Sequence, residues 1–247
     1  MLRELIRIPL PFTDHELPIY GYGMMVLVGF LAGTWVFQRG ARRHGWDSTT
    51  IGDMSMWMVL MGLVGGRVFY YVQFYDQDFR GEGWFSIFKI WEGGLVLYGG
   101  IIAGLATFFW IALRSQKPLL PLMDAMGPAL AVGIGFGRLG CLFNGCCWGK
   151  VCSPDFLLGL SFPEGSPPAL ALAGLGGVNG GSVYIHPTQI YASLNAFLMA
   201  GVLWFLNRAR PTEGVTTSAF LVLYGSSRFL LESIRGDHDR DTGAWTT

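Results

Sequence analysis

Charged side chains are scarce in this sequence of 247 residues, of which lysine, arginine, aspartate and glutamate make up only 14%. Soluble globular domains carry about 25% charged residues, so the composition excludes an ordinary water-soluble domain. The 17 basic side chains are balanced by 17 acidic ones, which gives a formal net charge of +0. Without a basic excess there is no general electrostatic basis for nucleic-acid binding, and we expect no nucleic-acid partner.

Apolar residues are abundant instead, at 51% of the chain with a mean hydropathy of +0.41. They gather in runs close to the roughly 20 residues that a helix needs to cross a bilayer core. The runs cover 17–38, 53–74, 94–113, 118–143, 187–206 and 215–231. The sequence therefore predicts an all-α, polytopic integral membrane helix bundle of six helices, the last one short. We expect one transmembrane domain over 1–247, with outer-side segments at 75–93 and 144–186.

Basic residues indicate the orientation of the bundle. Those packed close to the membrane in the connections after the first, third and fifth runs are Arg39, Arg42, Arg43, Arg114, Lys117, Arg208 and Arg210. Basic residues on the opposite side are spread over much longer segments. Because short loops rich in lysine and arginine remain in the cytoplasm, this pattern places the N-terminus outside.

Polar residues within the predicted helices converge on the outer leaflet in this topology. Arg67, Arg138 and Arg228 lie in the outer thirds of the second, fourth and sixth helices. Near the outer ends of the other helices lie Tyr20, Tyr22, Tyr98, His186, Gln189 and Tyr191. The outer leaflet is therefore the predicted place of a functional site.

An arginine inside a membrane helix costs about 2.5–3.5 kcal/mol on insertion scales, so each of the three needs a partner or water. A structural ion pair is one explanation, and Arg228 has Glu232 four residues further along its helix. Arg138 has no acidic residue within a helical turn. Three arginines at one leaflet favour an anionic ligand, and the anion available there is a phospholipid head group.

Five stretches together resemble a known family. The run Gly-Phe-Gly-Arg-Leu-Gly-Cys-Leu-Phe-Asn-Gly at 135–145 resembles the signature of the prolipoprotein diacylglyceryl transferase family. The stretches 22–29, 65–70, 186–191 and 224–232 agree with this family in type and order. The agreement extends from the first predicted helix to near the end of the chain.

The resemblance implies a reaction and its partners. The thiol of a lipobox cysteine, in the signal peptide of a prolipoprotein, attacks a glycerol carbon of phosphatidylglycerol, a membrane lipid. Glycerol phosphate leaves and a thioether forms. The implied location is the bacterial inner membrane, with a multi-pass chain and an active site toward the outer leaflet. We expect no cofactor.

The resemblance also implies roles for individual residues. Arg138 and Arg228 match arginines regarded as essential in the family and are predicted to bind the phosphate, while Tyr98 is the third catalytic candidate. The predicted substrate-binding residues are Tyr22, Arg67, Asn144, Gly99, Gly100, His186, Gln189 and Glu232. Among them, Glu232 is expected to orient Arg228.

The sequence departs from the family pattern at two places. Tyr98 stands where the family often has a histidine proposed as the base. A phenol, with a pKa of about 10, is a poor base, whereas the substrate thiol, at about 8.5, is already partly ionised. We therefore expect nearby arginines to lower the thiol pKa, with Tyr98 only orienting a group by hydrogen bonding. Family members also usually continue past a segment like the one around Trp245 into a further C-terminal helix.

All four cysteines lie in one stretch, as Cys141, Cys146, Cys147 and Cys152. Their spacing fits no zinc motif, because adjacent cysteines do not easily serve one tetrahedral site, and we expect no metal. In an oxidising compartment one or two disulfides are an option. With a single disulfide, Cys141 would stay apart, because it stands at a family asparagine position. Free thiols are the other option.

Two other classes of function stay open at this point. A transporter or channel for an anion or lipid also places arginines in membrane helices. Such proteins show inverted repeats and polar groups reachable from both sides, whereas this sequence has no internal repeat and its polar residues favour one leaflet. A catalytically inactive relative that binds lipid or prolipoprotein is the third possibility. It is kept open because Tyr98 stands where the family often has a histidine, and because family members usually have a further C-terminal helix.

Overall fold

A computed structural model describes residues 4–9, 16–80, 84–89, 93–161, 169, 184–209 and 212–236. Six α-helices within this part of the chain confirm the predicted helical architecture. They are α1 (Gly21–Arg42), α2 (Ser48–Gln73), α3 (Leu97–Arg114), α4 (Leu119–Asn144), α5 (Thr188–Ala209) and α6 (Val215–Glu232). Each corresponds to one predicted apolar run. The segment around Trp245 lies outside the described residues.

Five of these helices, α1 to α5, are long and apolar enough to cross a membrane. The chain is therefore a multi-pass membrane protein. Helix α6 has 18 residues and carries the polar stretch around Arg228, which lowers its hydropathy. The segment 75–93, which is predicted to lie on the outer side, contains a π-helical turn, Tyr75–Phe79, and a 3₁₀ helix, Trp84–Phe88.

Two helix starts differ from the predicted runs by four residues or more. Strand β1 (Glu4–Pro9) pairs antiparallel with β2 (Glu16–Tyr20), so α1 begins only at Gly21. Helix α2 begins earlier than predicted, at Ser48, because the Asp47 carboxylate accepts hydrogen bonds from the amides of Thr49 (2.8 Å) and Thr50 (3.0 Å). The hydrogen bonds from the hydroxyl and amide of Thr50 also lower the pKa of Asp47.

The described residues form two compact units. The first lies within Met1–Gly40 and Met123–Arg240 and holds most of α1 and α4 together with α5 and α6. It also contains a short antiparallel pair, β3 (Leu160–Ser161) with β4 (Tyr184–Ile185). The second lies within Ala41–Leu122 and holds α2, α3 and the short helical turns. A single transmembrane domain stays a prediction.

The core of the first unit joins α4, α5 and α6. Its buried residues are Ala131, Met199, Ala200 and Leu203, with Phe220 and Tyr224 packed against them. The Ser193 hydroxyl donates a hydrogen bond of 3.0 Å to the Gly135 carbonyl, which links α5 to α4. Helix α1 approaches α4 closely, since a Cβ on Gly33 would lie 3.1 Å from the Ala129 carbonyl oxygen. Small residues permit this close packing of membrane helices.

The N-terminus of α6 is capped by a side chain from α4. Asp124, which is buried, accepts hydrogen bonds from the amides of Gly214 and Thr217, both at 2.7 Å. The Thr217 hydroxyl donates a third bond to it, at 2.8 Å. A carboxylate at a helix N-terminus satisfies otherwise unpaired amides and complements the helix dipole. Asp124 therefore serves as a cap for the start of α6.

In the second unit, α2 and α3 approach each other through glycines. A Cβ on Gly99 would lie 2.5 Å from the Gly65 carbonyl oxygen, and one on Gly100 would lie 3.1 Å from the Gly62 carbonyl oxygen. A side chain at Gly99 would force the helices apart, and one at Gly100 would require a smaller shift of α2. The paired glycines therefore have a packing role in this structure, which is sufficient to explain them without substrate contact.

Candidate functional site

The first unit contains a cluster of thiols at the end of α4. Residues 145–148, called the cysteine turn below, follow the last residue of the helix. Their backbone reverses at Gly145 (φ 72°) and at Cys147 (φ 59°), a left-handed conformation that is uncommon for a residue with a side chain. The turn brings two adjacent cysteines back toward Cys141 in the last turn of α4. The sulfur atoms of Cys141, Cys146 and Cys147 all lie within 4.8 Å of one another.

All four cysteines are free thiols in this structure, and all are partly exposed. Cys152 is not a member of the three-sulfur group. Its amide donates a hydrogen bond of 2.9 Å to the Tyr184 carbonyl at the neighbouring strand β4. Sequence spacing alone did not anticipate the convergence of the other three, because it depends on backbone conformation at Gly145 and Cys147.

The start of α5 holds the cysteine turn in place. The Gln189 side-chain amide donates to the Cys146 carbonyl at 2.8 Å, and the Thr188 hydroxyl donates to the Cys147 carbonyl at 2.7 Å. Gln189 is only 1% exposed. Its side-chain nitrogen therefore stabilises the cysteine turn from a buried position. A contact between Gln189 and a substrate stays a prediction.

The segment after α6 supports the turn from its other end. The Gly236 amide donates to the Trp148 carbonyl at 3.2 Å, and the Lys150 amide donates to the Ile234 carbonyl at 3.0 Å. The residues around the thiols are thus tied to two separate helix ends. This backbone framework fixes the position from which the cysteine side chains extend.

Arg138 lies one helical turn before Cys141 on α4 and is partly buried. Its guanidinium makes no hydrogen bond or ion pair with any other residue in the described part of the chain. The Tyr22 ring packs against the same helix, since a Cβ on Gly140 would be 3.0 Å from a ring carbon of Tyr22. Tyr22 interacts electrostatically with Arg138 and with all three clustered thiols. These residues therefore share one environment.

The thiol cluster is electropositive around Cys147. Hydrogen bonds from the thiols of Cys141 and Cys146 lower the pKa of the Cys147 thiol, and the positive charges of Arg138 and Arg235 lower it further. Burial opposes the shift. Arg138 and Arg235 thus contribute positive charge at the cysteine turn, and the same cations would interact with another negative group that enters.

Arg228 makes the predicted ion pair with Glu232. The Arg228 guanidinium nitrogen lies 2.8 Å from a Glu232 carboxylate oxygen, and an Arg235 nitrogen lies 3.3 Å from the same oxygen. Both arginines are thereby oriented by one carboxylate. An ion pair of this kind is compatible with a structural role and with a role in positioning a guanidinium for a ligand.

Arg235 is the residue that sequence reasoning missed. Its side chain is 13% exposed, and it connects the Glu232 ion pair to the charge environment of Cys147. In the sequence it counted only as one of the basic residues spread along the outer side. Its spacing of three residues from Glu232 is the signal that was available, because the turn that follows α6 brings these two residues together.

Two further predicted residues lie close to the cysteine turn. The Asn144 side chain, at the end of α4, interacts with the Cys146 thiol. His186 precedes α5, and its Nδ1 lies 3.4 Å from the Tyr191 hydroxyl. The His186 ring also packs edge-on against Phe156, with ring centroids 4.7 Å apart. Of the two, Asn144 is the one beside the thiols.

Arg67, in the second unit, has a different environment. Its five N–H groups donate to the backbone carbonyls of Ile87, Gly93, Gly94, Ser86 and Lys89. A guanidinium has five donors in all, so none is left for a phosphate in this structure. The side chain ties the outer-side segment to α2. This geometry favours a structural role over the predicted contact with substrate.

Tyr98 also belongs to the second unit. It is the second residue of α3 and is 49% exposed, with no hydrogen-bond partner among the described residues. An exposed hydroxyl is available to a ligand. The structure thus leaves the role of Tyr98 as it was predicted, without adding a partner that would activate it as a base.

The fold and the site define a class of protein: a polytopic helical membrane protein with cations, a tyrosine and thiols gathered around one polar site. The sequence model of the family Prolipoprotein diacylglyceryl transferase matches residues 9–247. The chain belongs to this family, as the five motifs indicated. Tyr22, Arg138, Asn144 and Arg228 lie in those motifs.

Curated relatives extend this finding. The phosphatidylglycerol–prolipoprotein diacylglyceryl transferase of Clostridium tetani is 31% identical over 230 residues, which cover 93% of this chain and 86% of that protein. The protein of the same name from Vibrio cholerae is 32% identical over 92% of this chain and 78% of its own length. That of Nitratidesulfovibrio vulgaris is 32% identical, over 92% and 80% respectively.

Proposed function

We propose that this protein transfers the diacylglyceryl group of phosphatidylglycerol to the lipobox cysteine of prolipoproteins. The observation that carries the proposal is Arg138, a partly buried guanidinium in a membrane helix that makes no hydrogen bond or ion pair with any described residue. A membrane arginine without a protein partner needs an anion or water, and the phosphate of the lipid supplies the anion. Family membership over 9–247 supplies the reaction.

The chemistry is a displacement at an sp³ carbon of glycerol. The substrate sulfur forms a bond to the carbon as the carbon–oxygen bond to phosphate breaks, and glycerol phosphate leaves with the electron pair. The thiol loses its proton in the process. Arg138 would stabilise the negative charge on the departing phosphate through charge-assisted hydrogen bonds, which act more strongly in a site that excludes water.

Other residues would align the two substrates. Arg228, held by Glu232, is the second phosphate-binding candidate, and Tyr22 and Asn144 would donate hydrogen bonds to the substrates. Arg235 would add positive charge on the same side. Holding both reactants in position contributes to the rate because a bimolecular step becomes effectively unimolecular.

The contributions of the remaining candidates are of a different kind. Gln189 and His186 would support the site through the cysteine turn and Tyr191. Tyr98 would orient a group by hydrogen bonding. We propose that the active site faces the outer leaflet of the bacterial inner membrane, as the distribution of basic residues predicts.

Mass spectrometry tests the function directly. Purified protein is incubated with a lipobox peptide and phosphatidylglycerol vesicles, and the expected product is the peptide carrying one diacylglyceryl unit on its cysteine. Arg138→Ala should lose the product. Arg114→Ala is the matched control, because Arg114 is an exposed arginine that only stacks on Trp110 near the end of α3.

The outcome distinguishes the alternatives. If the folded wild-type protein binds phosphatidylglycerol but yields no modified peptide, the chain is an inactive lipid-binding relative. If Arg114→Ala loses the product as completely as Arg138→Ala, the specific role of Arg138 is wrong.

A further inference from the structure

We propose that Cys141, Cys146 and Cys147 form a three-thiolate binding site for a thiophilic metal ion of the zinc(II) or copper(I) kind. The site concerns only the protein's own thiols and does not depend on the transfer reaction. It differs from the expectation drawn from cysteine spacing, because the fold places adjacent cysteines where both approach a third.

The distances between the sulfur atoms suit a single ion. A zinc–sulfur bond is about 2.3 Å long, so three sulfurs around one ion in tetrahedral or trigonal geometry lie about 3.8–4.0 Å apart. The three sulfur atoms here all lie within 4.8 Å of one another before any ion is bound. At most about 1 Å separates these sulfur positions from the spacing around a bound ion.

The site is organised by the surrounding protein. Gln189 and Thr188 hold the carbonyls of Cys146 and Cys147, and both of these supporting side chains are buried. Cys147 keeps its left-handed backbone conformation within this framework. Non-glycine residues adopt that conformation where the surroundings determine it, typically at functional sites. A ligand set held in advance loses less conformational freedom on binding metal.

Charge and access also favour metal binding. Three thiolates around zinc(II) carry a net charge of −1, and around copper(I) a net charge of −2. Arg138 and Arg235 interact electrostatically with Cys147 and would offset that charge. All three cysteines are partly exposed, so an ion has a route to the sulfurs. Soft thiolate ligands select such metals over magnesium or calcium.

Cysteine-resolved alkylation tests the proposal in the wild-type protein. Fully reduced protein in detergent is treated with N-ethylmaleimide with and without one equivalent of zinc(II), and each cysteine is followed by mass spectrometry. Metal should slow alkylation of the three clustered cysteines by about tenfold or more, since a bound thiolate is no longer a free nucleophile. Cys152, which is partly exposed but outside the cluster, is the internal control and should react at an unchanged rate.

Cadmium(II) provides a second readout through its thiolate charge-transfer absorption. The absorption should reach its limit at one ion per chain, disappear in Cys147→Ser and persist in Cys152→Ser. Copper(I), presented with a competing chelator, is compared with zinc(II) to identify the preferred ion. Equal protection of all four cysteines, no protection at all, or loss of the absorption in Cys152→Ser would overturn the proposal.

Discussion

Arg67 and Arg138 both lie within long membrane helices, yet they have opposite environments. Arg67 is 4% exposed and donates all of its hydrogen bonds to backbone carbonyls. Arg138 is more accessible and has no hydrogen bond or ion pair within the described residues. An arginine in a membrane helix therefore either stabilises the fold or binds a ligand. The hydrogen-bond partners of its N–H groups distinguish the two roles.

Arg228 is intermediate between these extremes. Its ion pair with Glu232 uses part of its hydrogen-bonding capacity, and about a third of its side chain remains exposed (36%). The carboxylate is shared with Arg235, so neither arginine is fully neutralised. We expect the effect of a substitution to depend on how many N–H groups of the arginine are bonded within the protein. The more of them are bonded there, the larger the loss of stability and the smaller the loss of transfer activity.

The largest effect on transfer is expected for Arg138→Ala. Removing a preorganised donor to a developing negative charge lowers kcat by about 10²–10³-fold. Since no described residue depends on Arg138 for a hydrogen bond, thermal stability should stay close to that of the wild type. The peptide-lipidation assay and a thermal unfolding scan measure both quantities. Full activity in this variant would contradict the proposed phosphate-binding role.

Arg67→Ala should show the reverse pattern. Each buried carbonyl left without a donor costs about 1–3 kcal/mol, although water reaches part of this segment. A net loss of ~3 kcal/mol lowers the unfolding temperature by about 6–12 °C in a chain of this size. Arg67→Lys, whose side chain has fewer N–H donors, is the matched variant. Its unfolding temperature should lie between those of the wild type and Arg67→Ala. An unchanged unfolding temperature combined with lost transfer would instead make Arg67 a substrate-binding residue.

Glu232→Gln tests the intermediate case. The substitution keeps the shape of the side chain but removes the charge that holds Arg228 and Arg235. We expect kcat to fall by less than the roughly 10²-fold that a misplacement of ~1 Å can cost. KM for the peptide should change little, and Glu232→Asp should recover part of the rate. Steady-state kinetics of both variants provide the measurement, and wild-type kcat in Glu232→Gln would exclude a positioning role.

The smallest effect is expected for Tyr98→Phe. The variant loses only an exposed hydroxyl without a described partner, so most of the transfer activity should remain. A general base contributes about 10²–10⁴-fold. A decrease of that size in the lipidation rate, with unchanged thermal stability, would show that the phenol is essential and that the substrate thiol is not activated by arginines alone.

The parts of the fold that depend on hydropathy were predictable from the sequence. All six apolar runs correspond to helices, because roughly 20 residues of apolar surface have one stable solution in a bilayer. The early start of α2 was not predicted, although Asp47 carries a recognisable capping signal. The late start of α1 depends on pairing between β1 and β2, a contact that hydropathy does not encode.

The candidate site was predictable only in part. Arg138, Tyr22 and Asn144 belong to recognisable motifs and lie around the same thiols. The roles of Arg67 and Gln189 depend on backbone carbonyls, which every residue has, so no side-chain pattern identifies these partners. The cysteine turn depends on a left-handed conformation at Cys147, where nothing in the residue type indicates it.

The carboxylate of Asp124 has a consequence for the order in which the protein is assembled. It is synthesised 90 residues before Gly214, whose amide it binds. Until Gly214 and Thr217 have been synthesised, the Asp124 side chain lies within α4 without the groups that it later binds. Helix α6 is as long as α3 but is the one α-helix of the described chain that is not among the apolar membrane-span candidates, and the Asp124 carboxylate offers it a docking point. Because synthesis runs from the N- to the C-terminus, the Asp124 carboxylate is present before α6, the helix that it caps.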